Sequence, residues 1–295
     1  MKKTVCIILS LLLAVTVLSS CSKKEKEAPE PSDYALKFSF DSAYSGFDES
    51  VVSAYEALCT AVVNYEESVR MNPGITGDVM QLYETSFPLH VLATGVENAE
   101  GIVLTYQYEK EEHLQRVKAF SDTVKEIVTQ CYAGTLNKTV YTLNAYSYVC
   151  EHYSEADNSS VYDAVMNSTG NQYAYSGMFE YLLQQADIPA YHVIGISDFG
   201  GDVALSQAEL DGEIYYFDVA FEAATSKGKL LRYFGMTIDD VTAQGVSKMS
   251  YTNRNDPKSA TDLRFDTCRR STGWEIADGK LLVSVDAETA VEIAL

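Results

Sequence analysis

Apolar residues recur at three- and four-residue spacing along several stretches of the chain. In residues 47–69, Val51, Tyr55, Leu58, Val62, Tyr65 and Val69 share one stripe, which predicts an amphipathic helix with Ser45 or Asp48 as its cap. Asn72-Pro73-Gly74 breaks that pattern, and Phe87-Pro88 ends a short helical stretch. Residues 101–108 (GIVLTYQY) alternate as a strand. Residues 110–131 return to helical spacing, with Leu114, Val117, Phe120, Val124, Ile127 and Cys131 in phase. Further helices are expected over 138–153, 158–167 and 171–186; in the last, Phe179, Leu182, Leu183 and Ala186 are in phase.

Asp211-Gly212 sits between two alternating segments, a strong short-range hairpin signal. With a two-residue loop, Leu210 pairs with Glu213 and Leu205 with Asp218. Val203 then lies diagonally across from Asp218 on the same face of the sheet. Residues 245–262 are polar and turn-rich and read as loop. Short strands are expected over 263–270 and 281–285, either as edge strands of the main sheet or as a small subdomain. The whole pattern predicts an α+β fold, with helices packed on an antiparallel sheet.

The N-terminus carries a different signal. Lys2 and Lys3 precede an apolar run from Val5 to Leu18, and Leu18-Ser19-Ser20-Cys21 resembles a bacterial lipobox. Residues 1–20 are therefore read as a lipoprotein signal peptide. It would be cleaved before Cys21, whose thiol and amine would be acylated with palmitate-like chains. The run is short for a membrane-spanning helix, and charges follow it at once. Residues 21–34 then read as the lipidated cysteine and a charged, proline-bearing tether. Residues 35–250 form the main domain and 251–295 a C-terminal β extension of it. The expected location is the bacterial cell envelope, with the membrane engaged through the lipid on Cys21.

Removing Lys2 and Lys3 takes the formal net charge from −20 to −22. Such a surface disfavours nucleic acid and anionic headgroups, and it keeps an exported protein soluble. The histidines are scattered at 90, 113, 152 and 192, and no H-E-x-x-H or C-x-x-C occurs. No metal site and no cofactor is expected. Cys59, Cys131, Cys150 and Cys268 remain in the mature chain, and their spacing names no pair. Cys59, Cys131 and Cys150 lie on or beside helical apolar stripes, which suits small buried hydrophobes. Cys150 and His152 are two apart on a helix and face different ways. His192 falls in an expected core strand, as a structural histidine.

Two segments carry the most specific pattern: GNQYAYSGMFEYLLQQADIPAYHVIGI from Gly170, and VALSQAELDGEIYYFDVAF from Val203. They resemble the core of bacterial transglutaminase-like proteins, a branch of the papain-like thiol fold. There the pieces run roughly G-x-C-x-G-x-A-x-x-F-x-x-L-L-x-x-x-G-I-P and H-A-W-N-x-V-x-L-D-G-x-W-Y-x-V-D-x-T-W. The match is ungapped and carries Gly170, Phe179, Leu183, Pro189, Gly212 and Asp218 among others. At the family's cysteine stands Gln172, and at its histidine stands Val203. Only the acid, Asp218, is kept. Ala174 and Leu205 depart from the same pattern. Moving the register by four would bring Ser176 to the nucleophile slot, one turn deeper in the helix, at the cost of the ungapped match.

A thiol enzyme needs a thiolate, a base that forms it and a group that orients the base. Glutamine has no ionisable proton, valine offers only hydrocarbon, and Asp218 is left with no base to orient. The resemblance therefore implies the fold but not the chemistry. The expected function is non-catalytic binding of a peptide, protein or cell-wall component in the former substrate groove. Gln172, Tyr173, Tyr175 and Asp218 are its candidate binding residues. One alternative is a transglutaminase-like cysteine protease or acyltransferase with a relocated nucleophile, Cys150 or Cys268. A second is a purely structural surface protein whose groove is filled by its own side chains.

Overall fold

The computed structural model describes residue 37 and residues 46–132, 134, 137–251 and 259–295. The expected signal peptide, Cys21 and the tether all lie outside the described residues. Among the described residues, no helix is long and apolar enough to cross a membrane.

The chain forms an α+β fold, as the pattern predicts. It begins with α1 (Glu49–Asn64), the short strand β1 (Ser68–Arg70) and α2 (Thr76–Ser86). Next come β2 (Ala93–Asn98), β3 (Gly101–Tyr106), α3 (Lys110–Tyr132), α4 (Lys138–His152) and α5 (Val161–Asn167). The central unit is α6 (Gln172–Gln185), β4 (Ala190–Ser197), β5 (Asp202–Leu210), β6 (Glu213–Phe217) and α7 (Val219–Ser226). It is followed by α8 (Ile238–Ala243), β7 (Val246–Tyr251) and the strands β8 (Gly273–Ala277), β9 (Lys280–Ser284) and β10 (Ala290–Ala294). Among the described residues the strands form three sheets, with antiparallel pairs and the orders β1-β3-β2, β6-β5-β4-β7 and β10-β9-β8.

Several elements depart from the pattern. α1 ends at Asn64 because Tyr65 turns into the left-handed region as its C-cap, and Val69 joins β1. Asp48 is the N-cap residue but makes no side-chain cap bond. Residues 246–251 form a strand on the edge of the main sheet, although their polar sequence reads as loop. Along β7 every second residue after Ser247 is exposed, so its outward positions need not be apolar. Residues 266–270 form a 3-10 turn where a strand is expected. The C-terminal strands build their own sheet. Leu281, Val283 and Ile293 bury into the main core, and the indole Nε1 of Trp274 donates to the Gly228 carbonyl at 2.9 Å.

The core follows from the helical stripes. Phe179 of α6 packs against Tyr146 of α4 and Phe217 of β6, with ring centroids 5.7 and 5.3 Å apart. Tyr146 also meets Phe234 edge-on at 5.3 Å, and its hydroxyl donates to the Asp218 carbonyl. The four-stranded sheet is covered on both faces. Ala208 and Leu210 of β5 pack toward the helices. Leu205 packs on the other face with Val193, Tyr216, Met236, Val241 and Val246. This alternation is the period-2 geometry of a strand buried on both sides.

Candidate functional site

Asn171 starts α6. Its side chain accepts from the backbone N–H groups of Tyr173 and Ala174, the ordinary role of an asparagine N-cap. Gly170 before it has no room for a side chain, since a Cβ there would lie 2.5 Å from the Ala174 Cβ. Gln172 is thus the first residue of the helix, at the end where free N–H groups and the helix dipole would favour a thiolate.

The hairpin has the expected register. Asp211 and Gly212 both adopt positive φ, and Leu210 pairs with Glu213 through to Ser206 with Phe217. The ladder ends there. Asp218 leaves the strand and becomes the N-cap of α7. Its Oδ1 accepts from Phe221 N at 2.9 Å, while its own N–H donates to the Tyr233 carbonyl at 3.1 Å. β5 runs on past this point, so Asp202 to Leu205 have no β6 neighbour.

Gln172 fills that opening. Its Oε1 accepts from Ala204 N at 3.1 Å, and its Nε2 donates to the Asp202 carbonyl at 3.0 Å. The amide therefore brackets Val203 and pairs with β5 as a neighbouring strand would. Val203 packs at the margin of the Leu205–Tyr216–Met236 cluster. Gln172 and Val203 are brought together, and neither supplies a nucleophile or a base. Ser176 is buried one turn on, with its hydroxyl donating to the Ala204 carbonyl at 3.2 Å.

The other candidate residues separate. Tyr175 is fully buried; its hydroxyl accepts from Ser154 N and donates to the His152 carbonyl. Tyr173 is half-buried, with its hydroxyl 3.4 Å from Asp202 Oδ2, and it lines a cavity of about 450 Å³ on the flank of α6. Asp218 is nearly buried beside Glu222. Burial first, and the Glu222 charge with it, push its carboxyl up to about 7 against the lowering bond from Phe221 N.

Cys59, Cys131, Cys150 and Cys268 all carry free, buried thiols. Burial pushes Cys131 and Cys268 up to about 12, and Cys59 and Cys150 also well above the ordinary range. The Cys150 thiol donates to the Val219 carbonyl at 3.5 Å and lies close to Asp218 and Glu222, whose negative charges oppose a thiolate. Among the described residues, no group of His, Cys, Asp and Glu has the arrangement of a metal site.

One polar cluster was missed by motif reasoning. Glu180, two turns along α6 from Gln172, accepts from Ser206 Oγ at 2.7 Å and from His192 Nδ1 at 3.0 Å, both through Oε1. The three come from α6, β5 and β4, and His192 and Ser206 are cross-strand partners. The alternation of the two strands signals that they share a face. Nothing in the local sequence places Glu180 above them.

No family model matches the chain, and no curated protein does. Among solved structures it is similar to one described as "a Putative Cysteine Protease from Cytophaga hutchinsonii". That match has 13% identity and a TM-score of 0.29, over 47% of this chain and 55% of the other. It is also similar to one described as "a TGase", at 11% identity and a TM-score of 0.32, over 52% of this chain and 48% of the other. The chain thus spans about half the length of each structure.

Proposed function

We propose that this is an exported, lipid-anchored protein whose transglutaminase-like domain is non-catalytic and binds a peptide, protein or cell-wall component. The observation that carries this reading is the Gln172 amide bonded to β5 on both sides of Val203. A group in that place holds a strand and cannot attack a carbonyl. With the amide spent on the groove wall, the ligand meets the Tyr173 side of α6. The buried thiols support the same reading, because a nucleophile relocated to Cys150 or Cys268 would need solvent access and a depressed pKa.

Two measurements test it. Thiol labelling of the folded chain should leave all four cysteines unmodified until the protein is unfolded; rapid native labelling of Cys150 or Cys268 would overturn the non-catalytic reading. Titration with short peptides and cell-wall fragments should find a ligand whose affinity falls about tenfold in Tyr173→Ala, the loss of roughly one well-packed aromatic contact. An affinity unmoved by Tyr173→Ala and by Gln172→Ala would remove the groove. A purely structural protein is the second reading, favoured by the internal hydrogen bonds of Gln172, Tyr173 and Tyr175. It is selected if no peptide or fragment binds.

A further inference from the structure

The cavity beside α6 lies on the Tyr173 side of the helix, so this inference rests on the proposed binding reading and names the ligand chemistry, with no part for the Gln172 amide. One wall is the flank of α6 that carries Tyr173, Glu180, Tyr181 and Gln184. The others are the end of α2 with the turn after it, and β4 from Ala190 to Ile194. Among the described residues, its acidic and imidazole side chains are Glu84, Glu180, His90 and His192, its tyrosines are Tyr173, Tyr181 and Tyr191, and none is a lysine or arginine.

Glu180 is its centre. The residue is 8% exposed, and its Oε1 takes both the Ser206 and the His192 bonds. Its Oε2 takes no hydrogen bond among the described residues. An ionised carboxylate this deeply buried is costly without a cation beside it. Among the described residues, the group of the cavity that can place a positive charge against Glu180 is protonated His192, while His90 is held by the Phe87 carbonyl. The imidazole Nδ1 lies 3.0 Å from Glu180 Oε1, close enough for its protonated form to pair with the carboxylate. With His192 neutral, an ionised Glu180 would have no counter-charge among the described residues of the cavity, and Glu84 adds a second carboxylate at the rim. Phe87, Tyr181 and Val161 supply apolar surface, and the Tyr173 ring, 6.1 Å from the His192 ring, offers a π face.

We propose that this cavity binds a small organic cation, an ammonium or guanidinium group on a partly apolar body, which replaces the His192 proton as the counter-charge of Glu180. The strongly acidic chain would raise the local concentration of such ligands. Binding and protonation of His192 compete for the same carboxylate, so each weakens the other. The groups beside His192 are Glu180 and Tyr173 from α6 and Ser206 from β5, and Glu84, His90 and Tyr191 line the same cavity. Ser250 of β7 lies opposite the neighbouring Ile194. Burial acts against the imidazolium, but the Glu180 charge and hydrogen bond outweigh it and raise the His192 pKa above its ordinary value.

The test uses the full chain and three probes of one shape: pentylammonium, 1-pentanol and pentanoate. The His192 imidazole signal, assigned with His192→Gln, is followed by NMR against pH with and without each probe. Pentylammonium should lower the His192 pKa, and its affinity should rise with pH through that titration, by up to about tenfold per pH unit. The alcohol and the carboxylate should bind at least about tenfold more weakly, since they lack the charge that Glu180 selects. Glu180→Gln, which keeps an acceptor for Ser206, should abolish the ammonium preference. Glu84→Gln, at the exposed rim, should reduce it by about two- to fivefold. If Glu180→Gln fails to fold, the wild-type His192 titration and Glu84→Gln decide. Equal binding of pentanol and pentylammonium, tighter binding of pentanoate, or a His192 pKa unmoved by the ammonium would each overturn the proposal.

Discussion

The two ends of the α6–β5 contact use polar side chains in opposite ways. At the N-terminal end, Gln172 is neutral and satisfies backbone groups left open where β6 stops. Two turns on, Glu180 is charged and buried and meets a hydroxyl and an imidazole, with a cavity alongside. The first arrangement completes a sheet and has no proton to move. The second is a titratable pair with a free oxygen. Gln172 therefore sits at the helix end as a strand-holding amide, and the titratable groups of this contact lie further along the helix flank. Within one interface, backbone hydrogen bonding can absorb a polar residue entirely, whereas a buried charge keeps demanding a partner.

The largest perturbation should remove both ends together. Phe179→Ala empties the space between Tyr146 and Phe217 beneath α6 and should cost about 3–5 kcal/mol in denaturant unfolding. A loss below about 1 kcal/mol would show that α6 is not held by that cluster.

Next comes the buried acid beside the silent end. Asp218 has a folded pKa of about 7 against an ordinary 3.8. Between these values the folded state keeps a proton that the unfolded state has released. Its contribution to stability therefore falls as pH rises from about 4 to about 7 and stays low above that. Asp218→Asn keeps an N-cap for α7 and removes the ionisation. It should stabilise the protein at pH 8 by on the order of 2 kcal/mol and flatten that part of the pH profile. An unchanged profile would mean that Asp218 is not the titrating group.

Glu180 and His192 should mark a different window. The raised His192 pKa stabilises the fold fully below the ordinary 6.5, and the gain is lost as pH rises through the folded value. His192→Gln should remove this higher-pH step and leave the Asp218 step intact, so unfolding midpoints of the two variants across pH 4 to 9 separate the two ends. If both variants change the same window, the comparison fails. Gln172→Ala should have the smallest effect, about 1–2 kcal/mol for two partly exposed backbone bonds, with faster amide exchange at Ala204. Unchanged exchange there would show that Gln172 does not hold the strand.

Local signals made much of the fold legible. The apolar stripe of 110–131 became α3, the Asp211-Gly212 turn set the hairpin register, and proline placed the end of α2. The misses have physical causes. β7 is an edge strand and carries polar residues outward, so no apolar run announces it. Tyr65 ends α1 by a backbone turn that its side chain does not advertise. At the candidate site, alternation would pair Leu205 with Asp218, but Asp218 instead caps α7 through Phe221 N, while its own N–H goes to the Tyr233 carbonyl, fifteen residues on.

The sequence by itself determined the periodicities, the turn chemistry and the residue types available at each slot, because these depend on neighbours within a few positions. That Gln172 and Val203 fall where the resemblance would put a thiol and a base is an expectation read from the sequence alone. Tertiary structure alone decided what those residues do. The Gln172 amide finds partners only because β6 stops at Phe217 and leaves β5 open. Glu180, Ser206 and His192 meet only when a helix lies across two paired strands. Hydrogen bonds and charges between residues far apart in the chain are set by packing, and packing is a property of the whole fold.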